Sequence, residues 1–581
     1  MAQSINALLQ ARFRQAFDKA SIPQSSPVLL GQSVRPDLAD YQANGVMAAA
    51  KQLKSNPRQL AQLVLDHLQL DDVAESVEVA GPGFINVRLR TSWLAQRLEA
   101  VAGAHERLID RVDTPQTIVV DYSGPNLAKE MHVGHLRSTI IGDSIVRVLE
   151  RVGHRVIRQN HVGDWGTQFG MLIAFMIRQE QQQGGNLAHQ LADLESFYRD
   201  AKKQFDADED FARLAREYVV KLQAGDEECL QHWHRFVGES LYHCEAVYQR
   251  LGVSLRTTDV RAESAYNDAL PGIISQLDAA GLLSESEGAK VVFLDSFMGK
   301  DDKPLPAIVQ KSDGGYLYTT TDLAAMQYRC NTLRTDRILY FVDSRQALHL
   351  QQVFAISRRA GFATEHCSLE HHAFGTMMGA DGKPFKTRTG GTVKLMELLE
   401  EAEQRAYTLV CQKNPELDEE HKRAIAAVVG IGAVKYADLS KNRTSDYIFN
   451  WDSMLSFEGN TAPYLQYAYA RIKSIFRKGG IDEQTLQGPL LLEAAQERLL
   501  ALKLLQFTET VQTVAVECFP NELCCYLYEL AGLFMSFYEN CPVLKADTSE
   551  QKSSRLLLSL LSAAALREGL ELLGIGTVEQ M

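Results

Sequence analysis

None of the nine cysteines in this 581-residue chain forms a CxxC pair, and the only close ones are the adjacent Cys524 and Cys525 in an apolar helical stretch. Neither a zinc ribbon nor a disulfide framework fits that scatter, so the thiols read as buried core groups and no metal site is expected. Also missing are any apolar run near the roughly 20 residues a bilayer needs, any fixed-period repeat and any low-complexity tract. The first 20 residues space Leu8, Leu9, Phe13 and Phe17 among Arg12, Arg14 and other polar groups. This is an amphipathic helix and not a secretion signal, and the expectation is a cytoplasmic protein with no membrane partner. A surplus of positive charge is lacking too. The net formal charge of −13 excludes a generally basic nucleic-acid binder and leaves room only for a local basic track.

What is present is ordinary globular material, 45% hydrophobic and 23% charged, long enough for three or four domains at roughly 150 residues each. Residues 1–112 open with helical patterns and end in alternating runs around Gly81-Pro82-Gly83, which predicts a small α+β module. From Thr117 the order becomes strand, Gly/Pro turn, helix from Leu136 to Val152, then strand from Arg155 to Gln159, one βαβ unit of a parallel sheet. Residues from about 180 to 260 are charged, helix-forming and poor in Gly and Pro, a helical insertion. Strand patterns resume at Lys290 to Leu294 and at Arg337 to Val342, completing a doubly wound, Rossmann-like unit over 113–395. After a Gly-rich loop at 375–391 nearly everything reads as helix. We expect a connecting segment over 396–456 and an all-α module over 457–581.

Two stretches carry chemistry. Ser123-Gly124-Pro125-Asn126 follows the first strand, and His132-Val133-Gly134-His135 opens the helix. A helix N-terminus bearing two imidazoles three residues apart places dipole and donors where a triphosphate lies, and Gly134 leaves a gap for a flat base. The plainer alternative is a capped helix with incidental surface histidines. The second stretch, residues 379–391, combines four glycines with Lys383, Lys386 and Arg388. It suits a mobile basic lid that closes over phosphates and releases pyrophosphate, against the alternative of a solvated basic hairpin.

In combination these residues are specific. Residues 123–139 resemble the HIGH region of class I aminoacyl-tRNA synthetases in the form used by arginyl-tRNA synthetases. Residues 160–170, 318–325 and 458–468 are similar to the same family, and the likeness runs over essentially the whole chain. The second class I motif, KMSKS, is present only as Phe385-Lys386-Thr387-Arg388-Thr389. Lys386 and Arg388 lie within it and Lys383 just upstream, and the sequence does not rank the three.

The resemblance implies an arginine–tRNA ligase that uses ATP with Mg2+, L-arginine and tRNA(Arg), and acts as a monomer. It places Asp121 and Asp322, with Tyr318, at the guanidinium. Bidentate carboxylate pairing suits that planar, permanently charged group. Asp121 also reads as a strand-end cap, and Asp322 as a helix N-cap. Asn126, His132 and Gln346 resemble the family's contacts to the amino and carboxylate groups. His132, Gly134, His135 and Lys386 would hold ATP.

The small module is implied to take the tRNA elbow and the helical module the anticodon. Yet residues 457–581 hold 10 Lys/Arg against 15 Asp/Glu. Recognition there falls to local groups such as Arg471, Lys473, Arg477 and Lys478, with Tyr464, Tyr467 and Tyr469 stacking on bases or buried as core. Competing readings are a nucleotidyltransferase that works without tRNA, and a synthetase-like tRNA-binding protein that has lost catalysis. Glutamyl or cysteinyl specificity is disfavoured by an acidic pocket and by the absence of a zinc-ligand cysteine cluster.

Overall fold

The computed structural model of the chain describes residues 4–103, 108–183, 194–299, 304–386 and 393–581. The amphipathic start is the helix Ile5–Lys19, capped by Ser4 and burying Leu9, Phe13 and Phe17 at a four-residue spacing. It packs with the helix Pro57–His67 on a four-stranded antiparallel sheet. The runs on either side of Gly81-Pro82-Gly83 form its strands Ala74–Ala80 and Phe84–Leu89.

The central unit is built on a four-stranded parallel sheet. Its strands are β1 (Thr117–Asp121), β2 (Arg155–Gln159), β3 (Arg337–Tyr340) and β4 (Ser368–His371), in spatial order β4-β3-β1-β2. Period-two alternation sorts its side chains into two cores. Ile118, Val120 and Leu339 join one with the following Phe341, while Val119, Ile338 and Tyr340 join the other. Both faces are covered, which is why β1 and β3 read as unbroken apolar runs. Helix α1 (Val133–Arg151) carries the chain from β1 to β2, and α4 (Ala347–Arg359) carries it from β3 to β4 on the opposite side. The connections diverge between β1 and β3, and such a divergence opens a crevice at the carboxyl ends of the strands.

Two expectations change. The strand foreseen at Lys290–Leu294 lies instead in a separate antiparallel sheet, as Ala289–Val292 between Leu283–Ser286 and Ala307–Gln310. The two-residue turn Glu287-Gly288 has both φ values positive, 52° and 78°, the geometry of a tight hairpin and incompatible with a crossover. The parallel sheet takes β4 in its place.

The insertion supplies the helices Leu194–Ala207, Glu209–Gln223 and α2 (Glu227–Leu251). Beyond residue 393 the chain is helical, as expected. The stretch from Leu490 to Val516, whose pattern alone reads as one continuous helix, is two helices, Ala495–Leu505 and Phe507–Glu517. Among the described residues no helix is long and apolar enough to cross a membrane.

Polar pins join the modules. Arg498 makes a bidentate pair with Asp40 of the first module, and the Tyr41 hydroxyl donates to Glu509 at 2.9 Å. Helix α1 is tied to the carboxyl-terminal helices at two levels: Arg137 pairs with buried Asp438 at 3.0 Å, and Arg151 with Glu568.

Candidate active site

The crevice between β1 and β3 holds a cavity of about 600 Å³ lined by Asp121, His132, Gly134, His135, Tyr318, Asp322 and Gln346, all foreseen from sequence. Its floor begins at a strained turn. Ser123 has φ 71° and Gly124 φ 49°, and left-handed backbone at a serine persists only where its surroundings over-determine it. Here Ser123 N–H donates to Ser138 Oγ at 2.9 Å, its hydroxyl lies 2.7 Å from the Tyr248 hydroxyl of α2, and Gly124 N–H donates to Asn160 Oδ1 at 3.0 Å. The insertion therefore braces the turn that enters the site.

At the start of α1 the two histidines cap the helix reciprocally. Gly134 N–H donates to His132 Nδ1 at 3.0 Å and His132 N–H donates to His135 Nδ1 at 3.1 Å. Each ring accepts at Nδ1, so each neutral imidazole carries its proton on Nε2 and is a donor there. Burial pushes His135 down to about 3, with His132 acting the same way. Burial also lowers His132, helped by Lys129. Both rings are neutral hydrogen-bond donors at ordinary pH, 4.0 Å apart. Gly134 is exposed at the cavity, and a Cβ there would lie 2.7 Å from His132 Cε1. The glycine makes room for the imidazole that caps the helix.

At the acidic end, Asp322 is not a helix N-cap. Helix α3 (Tyr318–Gln327) has its N-cap at Leu317, five residues earlier, which leaves Asp322 in its second turn. Its Oδ2 is 2.6 Å from His349 Nε2 and its Oδ1 is 3.6 Å from His161 Nε2. Glu263, which the sequence reading missed, lines the same cavity. Burial raises its carboxyl to about 7, with Asp322 and Asp164 adding to the shift. A carboxyl held up in this way beside a second acid is suited to a cation, which favours its ionised form. Asp121 is different, since its Oδ2 already accepts from Arg329 Nη2 at 2.6 Å.

Not every foreseen residue reaches the cavity. Asn126 turns its Oδ1 back to Ala128 N–H at 3.0 Å, closing its own turn. Lys383 and Lys386 are exposed on the basic loop, outside the lining residues, and Arg388 lies outside the described residues. The far end of that loop does return to the site. Val133 N–H donates to Val393 O, Leu395 N–H donates to Met131 O, and Lys394 pairs with Glu130 at 3.0 Å.

Residues 99–451 match the family model for the class I (R) tRNA synthetase catalytic domain, residues 465–581 the DALR anticodon binding domain, and residues 7–89 the arginyl-tRNA synthetase N-terminal domain. The chain belongs to the arginyl-tRNA synthetase family. It is 59% identical to the arginine–tRNA ligase of Hahella chejuensis and 56% to that of Marinomonas sp., over 100% of each chain. Among solved structures, the arginyl-tRNA synthetase of Plasmodium falciparum superposes with a TM-score of 0.85 at 29% identity, over 100% of this chain and 99% of that one. That of Thermus thermophilus superposes with 0.83 at 26%, over 99% and 100%.

The synthetase has a second hollow, of about 470 Å³, on its helical module. Tyr467, Arg471, Arg477, Lys478, Tyr538 and the terminal Met581 line it. Arg471 lies over the Tyr538 ring at 5.1 Å. Of the residues proposed from sequence, Lys473 is instead bound to Glu483 at 2.5 Å, Tyr464 packs edge-on against Tyr528, and Tyr469 is core. Tyr538 and Met581 carried no pattern that set them apart.

Proposed function

We propose that this arginine–tRNA ligase works by two displacements within the β1/β3 crevice. First, an oxygen of the arginine carboxylate attacks the α-phosphorus of ATP, and pyrophosphate leaves. Then the 2′-hydroxyl of the terminal adenosine of tRNA attacks the adenylate carbonyl, its proton is lost and AMP leaves. No side-chain nucleophile is needed; positioning and charge stabilisation supply the rate. The Nε2–H groups of His132 and His135 donate to phosphate oxygens as charge develops there. The loop bearing Lys383, Lys386 and Arg388 lies over the departing pyrophosphate. Asp322 and Glu263 receive the guanidinium beside Tyr318 and Gln346 the carboxylate, while Asp121, expected from sequence at the guanidinium, takes the α-ammonium instead because Arg329 already occupies one of its oxygens. Mg2+ enters with ATP as part of the substrate; among the described residues no cluster of three potential ligands forms a resident site.

The tRNA lies along the chain, with its elbow on residues 1–112, its end in the unit 113–395 and its anticodon on residues 457–581, beyond the connecting segment 396–456. Stacking on Tyr467 and Tyr538 beside Arg471 suits splayed bases. A cytoplasmic monomer is the simplest form of this reading.

The observation that carries the proposal is the pair of neutral, Nε2-protonated imidazoles facing one cavity with the Asp322–Glu263 acids. The alternative of an inactive tRNA-binding relative finds no support among the full-length relatives, which are arginine–tRNA ligases. Exchange of labelled pyrophosphate into ATP, run with each of the twenty amino acids with and without tRNA, tests the reading. Exchange with arginine alone is expected, and exchange with none from folded protein overturns it.

A further inference from the structure

An arginine buried inside an arginine site calls for an explanation. Arg329 is 1% exposed. Its Nη2 donates to Asp121 Oδ2 at 2.6 Å, its Nε donates to Gln159 Oε1 at 2.6 Å, and its guanidinium lies 5.0 Å from the centre of the Tyr340 ring. It sits in the π-helical turn Tyr328–Thr332 that continues α3, and Thr335 Oγ1 donates to its carbonyl at 3.0 Å. A π turn adds a residue to the helix and re-aims the side chains that follow. Helix α3 thus offers Asp322 to the cavity and then swings Arg329 under the neighbouring strand. Asp121 lines the cavity and Arg329 does not.

We propose that Arg329 sets the direction in which arginine lies in the cavity, by occupying Asp121 so that this carboxylate accepts only the α-ammonium and the guanidinium is left to Asp322 and Glu263. The inference rests on the arginine reading above. Arginine is cationic at both ends, and the cavity is acidic at both places. With two unencumbered carboxylates it would also bind reversed, its own carboxylate far from the α-phosphorus. A guanidinium gains most from two parallel N–H···O bonds to one carboxylate, whereas an ammonium is a point charge that one oxygen satisfies. Asp121 is already paired on one oxygen with a guanidinium of the protein's own, so a second guanidinium meets a carboxylate whose charge is matched, and what it still offers suits the single contact of an ammonium. Asp322 also has an oxygen engaged, by His349 at 2.6 Å with His161 at 3.6 Å, but its partners are imidazoles and Glu263 lines the cavity with it, so a guanidinium can be shared between two acids there. Arg329 touches no substrate and acts through Asp121, so it is a positioning residue.

The test uses ethylguanidinium, which has the guanidinium and neither of the other groups. Calorimetric titration of the full chain is expected to give one ethylguanidinium, competitive with arginine, in the wild type and in Arg329→Lys, and two in Arg329→Gln. In Arg329→Gln, kcat for arginine-dependent exchange is expected to fall about tenfold or more while KM stays level or falls, the mark of non-productive binding. Loss of packing alone gives neither the second equivalent nor that split. One equivalent in Arg329→Gln, with the loss all in KM, overturns the inference and leaves the arginine reading standing. A wild type that binds neither arginine nor ethylguanidinium overturns both. Should Arg329→Gln fail to fold, Asp121→Asn decides. Ethylguanidinium affinity within about twofold of wild type, with arginine KM up about tenfold, is expected, and a tenfold loss of ethylguanidinium affinity overturns the proposal.

Discussion

Asp40 and Arg498 face each other across the seam between the first and last modules as a two-point pair, at 3.0 and 2.6 Å. The Asp40 side chain is fully buried and also accepts from Leu89 N–H at 2.7 Å. Removing Arg498 leaves the buried carboxylate only the Leu89 N–H and the more distant Arg88 at 3.7 Å. Arg498→Ala is expected to cost about 3 to 5 kcal/mol, read as a lowered melting temperature. Asp40→Asn in the same background should recover part of the loss. A melting temperature unchanged by Arg498→Ala would show that the seam draws nothing from the pair.

The histidines make a prediction about rate. His135→Ala removes one preorganised donor and is expected to slow arginine-dependent exchange at least about a hundredfold. It also deletes the acceptor for His132 N–H, worth about 1 kcal/mol of helix capping, so melting shifts by only a few degrees. Exchange kinetics with a parallel melt separate the two effects. Near-normal exchange would remove His135 from the mechanism.

Glu263 ties arginine binding to pH. Its carboxyl is raised to about 7 by burial, then by Asp322 and Asp164, while a guanidinium partner demands the carboxylate. Lowering the pH from about 8 to about 6 should therefore raise KM for arginine, approaching tenfold per pH unit below about 7 and levelling above it. The stability sign is opposite to that of a salt-bridged acid. With the folded value above the unfolded one, the wild-type carboxyl weighs on the fold increasingly from about pH 4.5 upward, fully so above about pH 7. Glu263→Gln is expected to abolish the KM trend and to raise the melting temperature at about pH 8 but not at about pH 4. A pH-independent KM in the wild type would exclude Glu263 from the site.

On the helical module, Arg471→Ala and Tyr538→Ala are each expected to weaken tRNA binding by about tenfold, the loss of one stacked base or its cationic support. Lys473→Ala should leave it within about twofold, because Lys473 serves Glu483 and Glu579. Equilibrium titration with tRNA at fixed salt measures all three. An Arg471→Ala affinity equal to wild type would move the anticodon elsewhere.

Much of this was legible in the sequence, where local chemistry and tertiary role coincide. The turn after β1 and the start of α1 were readable because glycine, proline and histidine each have a local reason to be there. Strand β4 was not, because its Glu370 is polar in sequence and becomes a strand residue only by pairing with Arg337 of β3 at 2.8 Å. Glu263 lies far along the chain from the histidines, in a short 3-10 segment with no periodicity, and only folding brings it to Asp322. Asp121 was recognised as an acid of the site, but its partner Arg329 was invisible, since nothing in a sequence says which arginine a buried carboxylate will meet. Lys473 and Arg471 look alike on paper. Helical phase and an acidic neighbour separate them.

Helix α1 behaves as a strut. Its 19 residues span about 28 Å, with the reacting imidazoles at one end and Arg151, gripped by Glu568 of the last helix, at the other. A rotation of about one degree about the far anchor swings the near end by about 0.5 Å, a sizeable share of the misplacement that costs about a hundredfold in rate. The buried Arg137–Asp438 pair, two residues inside the near end, checks that swing, so the aim of His132 and His135 rests on both anchors of the strut.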